Sequence, residues 1–199
     1  MRSLQLLSLV ALCLLQACTH SPAPRYYLLQ MSGTQPAGQA CRAGRIGLGD
    51  VQLPAYLDAL PLVRRQGVQL LRDDYQRWAE PLADGVQRVM LANLAERLPG
   101  CSLVQPPWTR AGQPDWKLSL QLLQLEAVDD GRVELQARWA LLDNAGKTQQ
   151  QQAVRYARPL TDAMGGDARY AAIATAHSEL LGQLADDISA AVLALPARP

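Results

Sequence analysis

The chain of 199 residues contains no phenylalanine and two histidines, and its charges nearly cancel. A core without phenylalanine must rest on leucine, valine, alanine, tryptophan and tyrosine, and 49% hydrophobic residues is enough to build one. The balanced charge excludes a general electrostatic attraction to nucleic acid or anionic lipid. His20 lies in a polar segment and His177 on an apolar helical stripe, which argues against a histidine metal site or a catalytic triad.

The chain begins with a short apolar run that does not reach the length of a membrane-spanning helix. Leu4 to Leu15 falls short of the roughly 20 apolar residues that a spanning helix needs. It follows the positively charged Arg2 and ends at Leu15-Gln16-Ala17-Cys18, which is the order of parts in a secretory signal peptide. We therefore expect residues 1–17 to be a cleaved signal peptide.

The cysteine at the end of this run predicts a lipid anchor. Leu15-Gln16-Ala17-Cys18 resembles the lipobox of bacterial lipoproteins, although Gln16 replaces the usual small residue. The resemblance implies that the Cys18 thiol carries a diacylglyceryl group and that its freed amine takes a further acyl chain. The alternative is an ordinary secretory peptide with a chance cysteine. Several acyl chains give stable anchoring.

The residues after Cys18 predict a tether and a location. Residues 18–24 are polar and rich in proline, which suits a linker that spans about 20 Å at most. Thr19 stands where an aspartate would resemble an inner-membrane retention signal, so we expect the outer membrane, with the protein facing the periplasm. Residues 25–199 are predicted to form one domain.

The cysteines contain no Cys-x-x-Cys pair, so their spacing does not indicate a metal site. Cys13 leaves with the signal peptide and Cys18 is acylated, which leaves Cys41 and Cys101 in an oxidising compartment. We expect a disulfide between them; two separate buried thiols are the alternative.

The order of the predicted elements indicates an α+β domain. Strands are expected at residues 25–30, 45–53 and 102–105, a hairpin that turns near Gln66-Gly67, and a meander from Trp116 to Tyr156 with turns at 129–131 and 144–146. Leu123 and Leu125 shift the alternation, which indicates a bulge. Helical spacing predicts helices from Pro81 to Leu98 and from Ala168 to Leu195. The expected fold is a two-layer sandwich in which both helices cover one face of a mainly antiparallel sheet.

The chain offers no convincing catalytic group. Gly44 to Gly49 has the wrong glycine order for a dinucleotide loop, and a strand explains it better. His177 and Ser178 are neighbours on a helix and point in different directions, so they cannot act as base and nucleophile. Asp73-Asp74 and Asp129-Asp130 fit turn or edge chemistry. We predict a protein without catalytic residues, metal or cofactor, apart from the covalent lipid on Cys18.

Two surface hypotheses concern partners. Trp78 precedes the first helix and is either an exposed contact for a partner or a buried plug at the helix entry; burial is the stronger expectation. Gln149 to Gln152 is typical of a solvated strand edge, which could accept a partner strand.

The ordered set of segments resembles a known family. Its parts are Tyr26-Tyr27-Leu28-Leu29, Val51-Gln52-Leu53-Pro54, Arg77-Trp78-Ala79-Glu80-Pro81-Leu82, Trp139-Ala140-Leu141-Leu142 and Ala176-His177-Ser178. Together they resemble the ABC-type transport auxiliary lipoproteins of the paraquat-inducible type, the PqiC/YmbA family. No single segment is diagnostic, and only Cys18 carries over as a functional position.

The resemblance implies a non-enzymatic role in lipid transport between membranes. Proteins of this family accompany MCE-domain proteins, which form conduits for lipid. We expect an auxiliary or docking component whose partner is an MCE-domain protein. The component itself is expected to be anchored in the membrane by lipid and to suit a homo-oligomer around a conduit. The alternative is a lipoprotein that scaffolds or activates another envelope machine, such as cell-wall synthesis.

Overall fold

The computed structural model describes residues 22–33, 40–129, 131–160 and 165–195. The predicted signal peptide, Cys18, His20 and Asp130 lie outside these ranges. Within them the chain forms eight strands and two α-helices. The strands are β1 Arg25–Tyr27, β2 Arg45–Leu48, β3 Pro61–Gln66, β4 Gln69–Trp78, β5 Ser102–Val104, β6 Trp116–Val128, β7 Arg132–Asp143 and β8 Thr148–Pro159. The helices are α1 Leu82–Arg97 and α2 Asp167–Leu193.

The sheet is organised around β6, its longest strand. On one side β6 pairs with β7, and β7 pairs with β8. On the other side two smaller groups of strands pair with different parts of β6. The first half of β6 pairs with β2, which is joined to β5. The end of β6 pairs with β3, which continues to β4 and β1.

The α+β class is confirmed, and the direction of the strands needs a correction. Among the described residues four strand pairings are parallel and three are antiparallel, so the sheet is mixed. Antiparallel pairing is confined to the two hairpins, β3–β4 and β6–β7, and to the β7–β8 pair. The parallel pairs join strands distant in sequence: β1 with β4, β2 with β5 and β6, and β3 with the end of β6. Three of these strands, β1, β2 and β5, have three or four residues each.

Alternating side chains explain why β6 and β7 form the centre of the sheet. Leu118, Leu120 and Leu122 are buried, whereas Ser119 and Gln121 between them are exposed. The register shifts between Leu122 and Gln124, which confirms the predicted bulge. The bulge keeps later leucines on the core side, because one extra residue restores the two-residue period.

Both helices cover the same face of the sheet, as predicted. Helix α2 contacts β6, β7, β8 and α1, and α1 contacts α2 and β5. Helix α1 begins directly after Pro81, close to the predicted position. Helix α2 buries many small residues, so it lies close to its neighbours. Neither described helix has both the length and the apolar character needed to cross a membrane.

A disulfide joins Cys41 to Cys101, whose Cα atoms are 5.2 Å apart. It ties the segment before β2 to the segment between α1 and β5. The backbone supports this junction, because Cys41 N donates to Pro99 O at 2.7 Å. Gly100, at φ +93°, has no room for a side chain: a Cβ there would lie 2.9 Å from Cys41 O.

The double replacement of Cys41 and Cys101 by serine is expected to lower the free energy of unfolding. The bridge spans a sequence separation of 60 residues, and closing a loop of that size contributes about 4 kcal/mol. Urea unfolding under oxidising conditions measures the loss. Reductant added to the unaltered protein should reproduce it, and equal stability of both proteins with and without reductant would refute the assignment.

Candidate functional site: the N-terminal clamp and the outer sheet face

The chain joins the sheet within the first few described residues. Pro22–Pro24 lead into β1, and Arg25 lies seven residues after Cys18 in the sequence. Strand β1 pairs in parallel with the end of β4, with Tyr26 opposite Arg77. A further backbone bond joins Ala79 N to Tyr27 O at 2.8 Å. The N-terminal part of the described chain is therefore hydrogen-bonded directly into the sheet.

Side chains tie β1 to the start of α2 as well. Arg25 Nη2 lies 2.6 Å from Asp167 Oδ2. Gln76 Nε2 donates to Asp167 Oδ1 at 3.0 Å, and Gln76 Oε1 accepts from Tyr27 Oη at 2.5 Å. Asp167 lies in the first turn of α2, where the helix dipole favours a negative charge. Strand β1, β4 and α2 thus share one polar junction.

The next residues, 28–33, are held by both helices. Side chains of α1 and α2 bind successive backbone groups of this segment, and we call this set of contacts the N-terminal clamp. Its bonds are Arg88 Nη2 to Leu29 O at 3.1 Å, Gln30 N to Ser178 Oγ at 3.1 Å, Ser32 N to Asn93 Oδ1 at 3.1 Å, and Arg97 Nη2 to Ser32 O at 2.9 Å.

Arg97 is the most deeply placed member of the clamp. Its side chain is 3% exposed, and its Nε lies 2.5 Å from Asp186 Oδ1 on α2. Its Nη1 also donates to Asn93 O at 3.1 Å. A buried guanidinium is tolerated when its donors are satisfied and a carboxylate balances its charge. Gly182 makes the close approach feasible, because a Cβ there would lie 2.7 Å from Ser32 O.

The sequence analysis missed the clamp, although a signal was present. Asn93 and Arg97 lie on the buried stripe of α1, at positions where helical spacing otherwise places Val86, Val89 and Leu94. A buried polar residue on an apolar stripe requires a partner. The partner segment could not be named from the sequence, because Ser32 precedes Asn93 and Arg97 by 61 and 65 residues and belongs to a loop with no periodic pattern.

The sheet face away from the helices, which we call the outer face, is polar. A surface cleft of about 480 Å³ lies on it, between β6, β7 and β8. Arg138 is an exposed cation on this face, and it has no ion pair or hydrogen bond within the described ranges. Neutral or small side chains surround it: Gln52, Ser119, Gln121, Ala140, Gln151 and Ala153.

Two other segments cover the ends of the outer face. At one end Trp108 and Pro114 lie against Gly47, where a Cβ would come within 2.8 Å of the tryptophan ring. At the other end Arg65 Nε pairs with the fully buried carboxylate of Glu126 at 2.5 Å. Burial, together with this carboxylate, raises the pKa of Tyr56 to about 12. The cleft is the open part between these covers.

Strand β8 forms one edge of the sheet. It pairs with β7 along its length and with no other described strand. Gln151 and Gln152 are exposed, in agreement with the predicted solvated edge. Tyr156 and Arg158 attach the strand to α2 through Asp187 and Glu179. The edge therefore offers free backbone groups on a firmly held strand.

Trp78 lies inside the protein, so the hypothesis of an exposed partner contact is corrected. Its side chain is 4% exposed and meets the His177 ring edge-on, with ring centroids 5.3 Å apart. The alternative, a core plug at the entry to α1, agrees with this position. The large apolar area of tryptophan explains why burial prevails.

His177 is a hydrogen-bonded core histidine, as expected. Its Nδ1 lies 2.7 Å from Ile173 O and its Nε2 lies 3.3 Å from Leu125 O. Burial lowers the pKa of His177 to about 4, against two backbone carbonyl contacts that raise it. The ring is thus neutral at physiological pH and serves the packing of α2 on β6.

Asp73, one of the acidic residues considered for catalysis, has structural partners, and so does Glu80. Asp73 accepts bonds from Tyr170 Oη at 2.8 Å and from Tyr75 N at 3.0 Å. Glu80 pairs with Arg88 beside the N-terminal clamp. Within the described ranges no group of three or more histidine, cysteine, aspartate or glutamate side chains could hold a metal ion. That the protein is not an enzyme stays a prediction.

Comparison with known families and structures adds independent information. A family model described as "ABC-type transport auxiliary lipoprotein component" matches residues 26–189. No curated protein sequence matches the chain significantly.

Two solved structures share the fold. A crystal structure of an uncharacterized protein superposes with a TM-score of 0.69 at 18% identity, covering 86% of this chain and 99% of that one. A Xanthomonas campestris protein of family DUF330 superposes with a TM-score of 0.70 at 15% identity, covering 85% and 94%.

Replacing Arg97 by methionine is expected to loosen residues 28–33 and to destabilise the protein by about 2 kcal/mol, because a charged hydrogen-bond network is lost. Hydrogen exchange measures the loosening: the amides of Gln30 and Ser32 should exchange faster. Glu96→Gln, on the exposed side of α1, is the matched control and should leave both amides protected. Unchanged protection in Arg97→Met would show that the clamp does not hold the segment.

The stability of the protein is expected to fall as pH falls from about 6.5 to about 4. His177 has a lower pKa in the folded chain than in the unfolded chain, so the unfolded state binds the proton first. The contribution is complete above pH 6.5 and shrinks by about 3 kcal/mol toward pH 4. Urea unfolding as a function of pH measures it. His177→Leu should remove this part of the pH dependence, and an unaltered slope in that variant would contradict the assignment.

Proposed function

Because this chain belongs to the ABC-type transport auxiliary lipoprotein family, we propose that it is an outer-membrane lipoprotein that docks the periplasmic end of an MCE-type lipid conduit. In this proposal Cys18 carries the lipid and holds the body at the inner leaflet of the outer membrane. The protein performs no chemistry on the lipid, and its partner is the MCE-domain protein of an ABC-linked transport system.

The N-terminal clamp is the observation that carries the proposal. A docking component has to present one surface in a fixed position, whereas an enzyme released into the periplasm has no such need. The segment after the expected anchor is bound to β4, α1 and α2 within residues 25–33. Such an attachment keeps the body within about 20 Å of its anchor, since only residues 19–24 separate the anchor from β1.

We assign the docking surface to the outer face. Its cleft is open between two covered ends, and β8 adds an unpaired edge beside it. The exposed Arg138, which has no ion pair within the described ranges, lies among neutral amide and small side chains. A partner that contributes one carboxylate and a row of backbone or amide hydrogen bonds would complement this surface. Assembly into a homo-oligomer stays a prediction.

Site-specific crosslinking in cells tests the proposal. A photoreactive amino acid at Gln151, on the outer face, is expected to capture an MCE-domain protein. The same residue at Val68, on the tip of the β3–β4 hairpin, is the matched control and should not. The capture from Gln151 should disappear in a Cys18→Ser variant, because that variant is not held at the membrane.

The charge of the surface gives a sharper test. Arg138→Glu should reduce the crosslinking yield from Gln151 by about tenfold, because a like-charge contact replaces an attractive one. Arg72→Glu, on an exposed position of β4, is the charge-matched control and should leave the yield unchanged. Capture of cell-wall enzymes alone, or of no protein above background, would reject the docking role and favour another envelope function.

A further inference from the structure

Large apolar side chains gather on the surface where the chain enters the body. Seven described large hydrophobic residues are markedly exposed, and four of them lie around the end of the sheet where β1 meets β4. Tyr26 is 61% exposed and Tyr75 is 42% exposed. Leu28 follows β1, and Leu60 binds Trp78 N through its carbonyl at 2.7 Å. We call Tyr26, Leu28, Leu60 and Tyr75 the anchor-side patch.

The register of the strands places the two tyrosines on one surface. Tyr26 lies opposite Arg77 in the parallel β1–β4 pair, and Tyr75 precedes Arg77 by two residues on β4. Residues two apart on a strand share a face. The intervening Gln76 and the following Trp78 are buried on the opposite face. Tyr26 and Tyr75 are thus both exposed near the half-buried Arg77, where β1 meets the end of β4.

The length of chain before the patch limits its distance from a membrane. Tyr75 lines the same surface cleft as Pro22–Pro24. Three residues lie between Cys18 and Pro22, so their Cα atoms are four steps and at most about 14 Å apart. The headgroup layer on each side of a bilayer is itself roughly 5–7 Å thick. A lipid on Cys18 thus brings the bilayer surface within reach of the patch.

The chemistry of the patch suits a bilayer interface. Tyrosine has an apolar ring and a polar hydroxyl, and it is enriched at the depth of lipid headgroups. Charges of both signs lie nearby: Arg25 pairs with Asp167, and Arg77 Nε donates to the backbone carbonyl of Asp74. Alternating charges and tyrosines match zwitterionic headgroups better than a strongly anionic surface.

We propose that the anchor-side patch lies in the headgroup layer of the membrane that holds the lipid anchor. The body then rests on the bilayer through Tyr26 and Tyr75, and the outer hydroxyl groups contact headgroups while the rings displace water. This inference rests on the proposed anchor at Cys18, and it does not depend on the identity of the docking partner. Contact with the bilayer and the N-terminal clamp together define one orientation of the body.

Spin labels on the lipidated full-length mature protein test the proposal. Mass spectrometry first verifies that the protein carries the acyl chains. The acylated protein is then inserted into vesicles of phosphatidylethanolamine and phosphatidylglycerol. A nitroxide is attached through Tyr75→Cys or, in a second variant, Leu28→Cys. Val68→Cys, a fully exposed position at the far end of β4's hairpin, is the matched control. The measured quantity is accessibility to molecular oxygen relative to a water-soluble nickel chelate.

The expected result is a several-fold higher ratio at positions 75 and 28 than at position 68, which should match the value in water. Adding Tyr26→Asp to the Leu28→Cys protein should lower its ratio toward that of position 68. Equal ratios at all three positions would overturn the proposal, whether they match the value in water or the value in a bilayer. Labels at 75 and 28 shielded from both reagents would indicate a second protein on the patch and would also overturn it. The crosslinking test of docking is independent, so either proposal can fail alone.

Discussion

The short, bound path of the chain from its expected lipid to its core is the constraint on which the rest depends. Residues 25–27 add a strand to β4, and residues 28–33 are held by Arg88, Asn93, Arg97 and Ser178. Each bond satisfies a backbone group that would otherwise need a hydrogen bond from water. We infer that a lipid on Cys18 would limit how far both layers of the sandwich lie from the membrane.

We propose different partners for two surfaces of the body. The anchor-side patch lies where the chain enters, and it is rich in tyrosine and leucine. The outer face is polar, carries Arg138 and ends at the edge strand β8. A bilayer takes up exposed apolar groups, whereas a protein partner is selected by charge and hydrogen bonds. One rigid body can serve both only if its orientation is fixed, which we attribute to the N-terminal clamp together with the anchor-side patch.

The sequence predicted the elements whose pattern is local. The leucine alternation of β6, the bulge near Leu123 and the helical spacing of α2 all have a period that can be counted in the chain. The buried position of His177 followed from the same spacing. The parallel pairs of β1, β2 and β5 did not, because strands of three or four residues carry no usable period. Their partners are chosen by the tertiary fold.

The candidate site was predictable in part for the same reason. The lipid anchor predicted at Cys18 rests on local sequence and stays a prediction, whereas the clamp joins Ser32 to Arg97 and Gln30 to Ser178 across long separations. Polar residues on a buried stripe indicate that a partner exists, but they do not identify it.

The most direct test of the account lengthens the path between lipid and body. A flexible insertion between Thr19 and Pro22 leaves the clamp and both surfaces intact and removes only their fixed distance from the membrane. The account predicts that capture of the conduit protein from Gln151 declines as the insertion grows, while folding and lipidation stay normal. Undiminished capture with a long insertion would contradict it, since docking would then not depend on where the anchor holds the body.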